Sequence, residues 1–487
     1  MAVVSSPLAM TVQEEEELSK EFLKVVQTHF EVIQDPLIVN YVNRIGNRVI
    51  AGFLPQPFQY HFNVIKQEVY NAFAGPGGYV YINSGLLAAM DEEEELAGIL
   101  AHEISHVSCR HISEKIARSG KIQMATLAGM VAGIFLGATG GGDAASALTI
   151  GSMAAGQSVI LAYSREDERE ADKVGLRNLY AAGYTGDGLL TVMKKIRAKQ
   201  WYTSDDVPSY ITTHPGSEER IAYIGNWIAS NPPPNFTVSP DDDFEFNRIK
   251  TRLIALYDDK RAVINQYEKE VRDKPNNFFA HYGYGLALMR TGHYQQSVDE
   301  LKKAMEQRAF DPYLPTDMAQ AYFLGGRYEA ALKLLTDTVP GKLDTSRLFY
   351  LGRVQMETGR FEAAKNTFLQ LRAMDPNYPA ALYYLGETYG KMEIMDEAHF
   401  YLGMYYKEKA DVMKAVFHLE RALTKATSED HKSKIEAELK LLSKRYKKEI
   451  EEKEREKIEK VERERQEQER EQRERDWYLE RERRRRE

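Results

Sequence analysis

Leu96-Ala-Gly-Ile-Leu-Ala-His102-Glu103-Ile-Ser-His106 decides the reading of this chain. The apolar residues Leu96, Ile99 and Leu100 recur at helical spacing. Asp91-Glu-Glu-Glu-Glu95 places negative charge at the start of that helix, where the dipole favours it. On a helix, His102 and His106 lie one above the other on the same face. Two imidazoles so placed can hold one metal ion, and Glu103, next to the first, is positioned as a general base. The spacing predicts a Zn²⁺ site with His102 and His106 as ligands.

Two histidines do not complete such a site, so a third ligand is required. The same helix does not supply it in the H-E-x-x-H-x-x-G-x-x-H pattern, because Cys109 stands at the Gly position and Ile112 at the third His. His111 is one residue out of register and reads as a surface or supporting histidine. Cys109, the chain's one cysteine, reads as a buried structural residue.

A second acidic helix is the alternative source. Tyr163-Ser-Arg-Glu-Asp-Glu-Arg-Glu-Ala-Asp172 carries Glu166, Glu168 and Glu170. Glu168 and Asp172 share a face. Glu168 can bind the ion while Asp172 accepts a hydrogen bond from the far nitrogen of a ligand histidine, fixing its tautomer. Glu166 has Glu170 four residues on and stays open as a competitor.

H-E-x-x-H followed by S-R-x-x-E-x-x-A-D resembles the HtpX-related gluzincin peptidases, in particular their BepA-like periplasmic members. The resemblance implies Glu168 as the third zinc ligand. It also implies an α+β, mostly helical metallopeptidase domain with a small β-sheet. In BepA-like proteins the segment T-H-P…E-R-I carries a histidine that reaches the zinc, and His214 matches it. Two roles stand open for His214: stabilising the oxyanion of the tetrahedral intermediate, or occupying the fourth position as an inhibitory ligand.

Upstream, Gln13–Phe30 reads as an amphipathic helix and Asp35-Pro36 as the start of another. Phe58–Ile65 and Gly78–Ile82 alternate like strands around the turn Ala74-Gly-Pro-Gly-Gly78. By the resemblance, Gly78, Tyr79, Val80 and Tyr81 belong to an exposed edge strand that pairs with an extended substrate.

Residues 122–164 are almost free of charge. Three readings fit them: a tightly packed helical pair over the active site, a hairpin making peripheral membrane contact, and a transmembrane pair. The first residues lack the basic and apolar regions of a secretory signal. Read alone they imply a cytoplasmic or truncated chain, whereas the resemblance implies the periplasm.

The chain has 487 residues and a formal net charge of −8. The length calls for more than one domain, and the charge gives nucleic-acid binding no support. Residues 1–229 are expected to be the peptidase, and 230–246, with its Pro run and acids, a linker. Gly292-x-Tyr294, Gly326-x-Tyr328 and Gly359-x-Phe361 repeat at a period near 34, the tetratricopeptide signature. An all-α tetratricopeptide repeat (TPR) solenoid over 247–447 is expected, with a charged helical or disordered tail over 448–487. Solenoids of this kind present surfaces to protein partners. With the resemblance, the expectation is a zinc endopeptidase acting on unfolded or misassembled polypeptides, linked to the outer-membrane β-barrel assembly machinery. The competing expectation is a chaperone that works through the solenoid while its peptidase site stays latched.

Overall fold

The structure is a computed structural model describing residues 10–118, 163–202, 209–232, 240–336, 344–376, 378–409 and 411–443. The chain divides into two compact units, Met1–Ala309 and Phe310–Glu487.

In the first unit, helix α1 (Val12–His29) begins with a reciprocal capping box between Thr11 and Glu14. Helix α2 (Pro36–Ile50) is capped by Asp35, whose carboxylate accepts from the N–H groups of Leu37 and Ile38. Strands β1 (His61–Ile65), β2 (Ala72–Ala74) and β3 (Tyr79–Asn83) form one sheet in the order β1-β3-β2. β3 runs parallel to β1 and antiparallel to β2.

That order corrects the expectation for Gly78, Tyr79, Val80 and Tyr81. They do not form an exposed edge: Tyr79–Asn83 is the central strand, paired on both sides. The cause is visible in its side chains. Val80 and Ile82 enter the main core. Tyr81, on the opposite face, stacks on Phe73 at 5.0 Å and meets Phe22 of α1 at 5.9 Å. A strand apolar on both faces belongs inside a sheet. The edge beside it is β2, three residues long and too short to announce itself by alternation.

Helix α3 (Ser84–Ala89) leads to α4 (Glu93–Ser108), the metal-motif helix, buried from Glu93 through Val107. Its acidic first turn does more than complement a dipole. Glu93 accepts from the Tyr41 and Tyr184 hydroxyls and pairs with Arg48. Glu94 accepts from the Thr185 and Gly186 N–H groups, and Glu95 pairs with Lys195 at 2.7 Å. After α5 (His111–Arg118) come α6 (Arg165–Ala181), α7 (Asp187–Tyr202), α8 (Ser209–Thr213) and α9 (Ser217–Ser230). α4 and α7 touch backbone to backbone. A Cβ on Gly188 would stand 2.2 Å from the Glu94 carbonyl carbon, so glycine is required there.

Residues 233–239 of the expected linker are not described, but from Pro240 the chain is helical to Tyr257 (α10). Phe246, Ile249 and Leu253 of α10 join the main core of this unit. Helices α11 (Lys260–Asp273), α12 (Phe278–Arg290) and α13 (Tyr294–Gln307) complete this unit.

The second unit holds helices α14 (Leu314–Leu324), α15 (Tyr328–Thr336), α16 (Thr345–Glu357), α17 (Phe361–Met374), α18 (Pro379–Lys391), α19 (Met395–Glu408) and α20 (Val412–Lys425), then a helix over 429–443. The periodic glycines have a backbone reason. Gly292, Gly326 and Gly359 each follow a helix with positive φ (85°, 74° and 73°). The fourth turn has the same conformation at Glu393, with φ 62°. The apolar segment 122–164 lies outside the described residues except for Tyr163 and Ser164, and the tail 448–487 lies wholly outside. Among the described residues, no helix is long and apolar enough to cross a membrane.

Candidate metal centre

α4 directs His102 and His106 into one buried point. Their Nε2 atoms lie 3.0 Å apart, with the rings nearly perpendicular. Glu168 enters from the first turn of α6, whose start is fixed by a capping box between Ser164 and Asp167. Its carboxylate oxygens stand 3.4 Å from each of those Nε2 atoms. His214, just past the end of α8, places Nδ1 3.0 Å from Glu168 and 3.3 Å from His102 Nε2. The four residues are fully or almost fully buried, and their ligand atoms all lie within 4.8 Å of one another. Glu166 and Glu170, which spacing left open beside Glu168, are exposed.

The surrounding groups orient this set. Asp172 Oδ1 is 2.7 Å from His102 Nδ1. The ring hydrogen therefore sits on Nδ1, and the Nε2 lone pair faces the centre. His106 Nδ1 meets His111 Nδ1 at 2.8 Å, so His111 is a supporting residue of this kind. Tyr163 stacks on His106 with ring centroids 3.6 Å apart, and Tyr210 stacks on His214 at 4.2 Å.

Sequence reasoning missed Arg220. It donates through Nε and one terminal nitrogen to the two oxygens of Asp172, at 2.7 and 2.8 Å, and its other terminal nitrogen is 2.5 Å from Glu168. The Tyr223 hydroxyl also donates to Asp172. The arginine sits in the same E-R-I segment that drew attention to His214. No spacing rule marked it, because its partners come from another helix.

The donor chemistry fits a divalent cation. Among the described residues, Glu103, Glu168 and Asp172 bring three negative charges to a site with one guanidinium, all of them buried. With neutral imidazoles the centre carries two net negative charges, which a doubly charged cation balances. Both Glu103 oxygens and His214 Nε2 are buried without a hydrogen-bond partner, as at sites completed by a ligand. Burial raises the Glu103 carboxyl above its ordinary value, against the pull of His214 and His102. A carboxylate so raised is suited to receive and return a proton. Burial also acts on Glu168, but His214 and Arg220 outweigh it and hold that carboxyl well below its usual range.

Residues 36–228 match Peptidase family M48, and residues 350–390 match a tetratricopeptide repeat. The chain is 26% identical over 371 residues to the beta-barrel assembly-enhancing protease of Yersinia pestis, covering 68% of this chain and 74% of that one. It is 27% identical over 326 residues to the protein of that name from Escherichia coli, covering 66% of this chain and 63% of the relative. It is 30% identical over 188 residues to the mitochondrial metalloendopeptidase OMA1 of Schizosaccharomyces pombe, covering 39% of this chain and 52% of that one. The chain thus carries a metallopeptidase domain of peptidase family M48, joined to a tetratricopeptide repeat.

Proposed function

We propose that the chain is a zinc endopeptidase that cleaves misassembled outer-membrane β-barrel proteins in the periplasm, with the residues through α10 as its peptidase and the repeat helices that follow as its recognition solenoid. The observation that carries the reading is the convergence of His102, His106 and Glu168 on one buried point, with Glu103 on the next residue of the helix. A set of two imidazoles and one carboxylate suits zinc. Bound there, the ion would supply Lewis-acid polarisation of the scissile carbonyl. Glu103 takes a proton from the attacking water and passes it to the leaving amine nitrogen. Asp172 keeps His102 in the ligand tautomer. Ala74, Gly75, Pro76, Arg110 and Ile112 wall a cavity beside His106 with room for no more than a water, so admitting a peptide requires the centre to open. The names of the bacterial relatives support the β-barrel substrate and the link to its assembly machinery.

His214 favours a second reading. As a fourth protein group on the point where the other three meet, it would leave no open position for catalysis. On that reading the peptidase is latched and the repeats act as a chaperone surface until His214 swings away.

Proteolysis of an unfolded model protein by the wild type, Glu103→Gln and His214→Ala, each with its zinc content determined, tests both. The latched enzyme predicts slow wild type, inactive Glu103→Gln and faster His214→Ala, with zinc kept in all three. Loss of activity in His214→Ala equal to that of Glu103→Gln would assign His214 to the reaction. No cleavage by any of the three, with zinc bound, would remove the enzyme reading.

A further inference from the structure

Beside the metal centre lies a second convergence of ligand atoms. Cys109, His111 and Glu170 bring one ligand atom each to within 4.8 Å of one another. His111 Nε2 is 3.4 Å from Glu170 Oε2. A tetrahedral zinc-like ion, with bonds of about 2.0–2.3 Å to N, O and S, needs ligand atoms roughly 3.2–3.8 Å apart. The trio is therefore within a small side-chain adjustment of that spacing.

Three parts of the chain build it. Cys109 caps α4, His111 opens α5, and Glu170 stands on α6 one turn from its start. Arg110, between the first two, has φ 57°, an unusual conformation for a non-glycine residue. It is held there by hydrogen bonds to Glu15 and the Met10 carbonyl. Burial and the neighbouring Glu170 push the Cys109 thiol up to about 11. Glu114 and Asp167 add negative charge around it, with Asp167 partly balanced by Lys115. Glu170 is 61% exposed, which leaves the cluster open to entering ions. His111 itself is buried.

We propose that Cys109, His111 and Glu170 form a second cation site, distinct from the His102–His106–Glu168 centre and selective for thiophilic divalent ions. A mixed S, N, O set prefers zinc or cadmium over magnesium or calcium. Filling it displaces the thiol proton to solvent. The ion takes the lone pair on His111 Nε2, the nitrogen that faces Glu170.

Cadmium titration of the full chain tests this. The chain has a single cysteine, so any thiolate-to-cadmium charge-transfer absorption reports Cys109. The wild type is expected to develop that band and to bind two ions per chain by equilibrium dialysis. Cys109→Ser binds one ion with no band, and Glu170→Gln binds the second ion at least tenfold more weakly. In His102→Ala the band persists, because the two sites are separate. A wild type with no band, or a second ion retained by Cys109→Ser, overturns the proposal. So does a band lost in His102→Ala, which would place the thiolate at the first centre.

Discussion

Asp172 Oδ1 lies 2.7 Å from His102 Nδ1, and both oxygens of the same carboxylate are gripped by Arg220. The ligand histidine is thus oriented by a carboxylate that is itself held in place. Asp172→Asn keeps the shape but weakens the hydrogen bond that fixes the tautomer. Metal affinity is expected to fall about 10–100-fold in a folded protein, read by competition with a coloured chelator.

Among the described residues, Arg220 is the one guanidinium beside three buried carboxylates at this centre. Arg220→Leu takes from Asp172 and Glu168 the permanent positive charge they share. Breaking a buried pair from one side costs about 3–5 kcal/mol, so the metal-free variant should unfold at a markedly lower urea concentration. Saturating zinc should recover part of the loss, since binding to the folded state adds stability by mass action.

The metal-free centre should be sensitive to pH through His102. Burial and Arg220 pull this imidazole down, but Asp172 and Glu168 pull it up further, to about 9. Its folded value is then above the unfolded one of about 6.5. The stability it contributes is fully present below about pH 6.5 and is lost as pH rises through about 9, with a size on the order of a few kcal/mol. Urea midpoints of chelator-treated protein should fall across that interval. The zinc-loaded protein should show little of the change, because the ion stands where the proton was.

Glu393 occupies a turn whose counterparts are Gly292, Gly326 and Gly359, all at positive φ. A left-handed conformation costs a non-glycine residue about 1–2 kcal/mol, and glycine returns part of that as entropy in the unfolded chain. Glu393→Gly is expected to stabilise the repeat region by about 0.5–1 kcal/mol, measured by chemical denaturation of the full chain.

The metal motif was legible because it is local: His102, Glu103 and His106 sit within five residues of one helix. So were α1, α2 and the repeat glycines, each written in spacing or in a cap. Spacing alone did not exclude Glu166, which only burial separates from Glu168; the resemblance to the HtpX-related peptidases is what pointed to Glu168. Arg220 was hidden for a related reason, because its partners Asp172 and Glu168 are fixed by tertiary packing. β3 was misjudged as an edge because its second neighbour, Ala72–Ala74, is too short to alternate. α10 was obscured by the Pro-rich and acidic residues that precede its apolar face.

Glu93, Glu94 and Glu95 fasten three different parts of the chain to the first turn of α4: α2 together with Tyr184, the Thr185–Gly186 turn, and Lys195 of α7. A helix pinned at three successive residues cannot slide or rotate without breaking all of these buried contacts together. The HExxH helix is therefore the stationary jaw of the centre. On the latched reading, opening it to a peptide would fall to the opposite jaw, where His214 rides at the end of the five-residue helix α8 and Gly216 turns the chain with φ 86°.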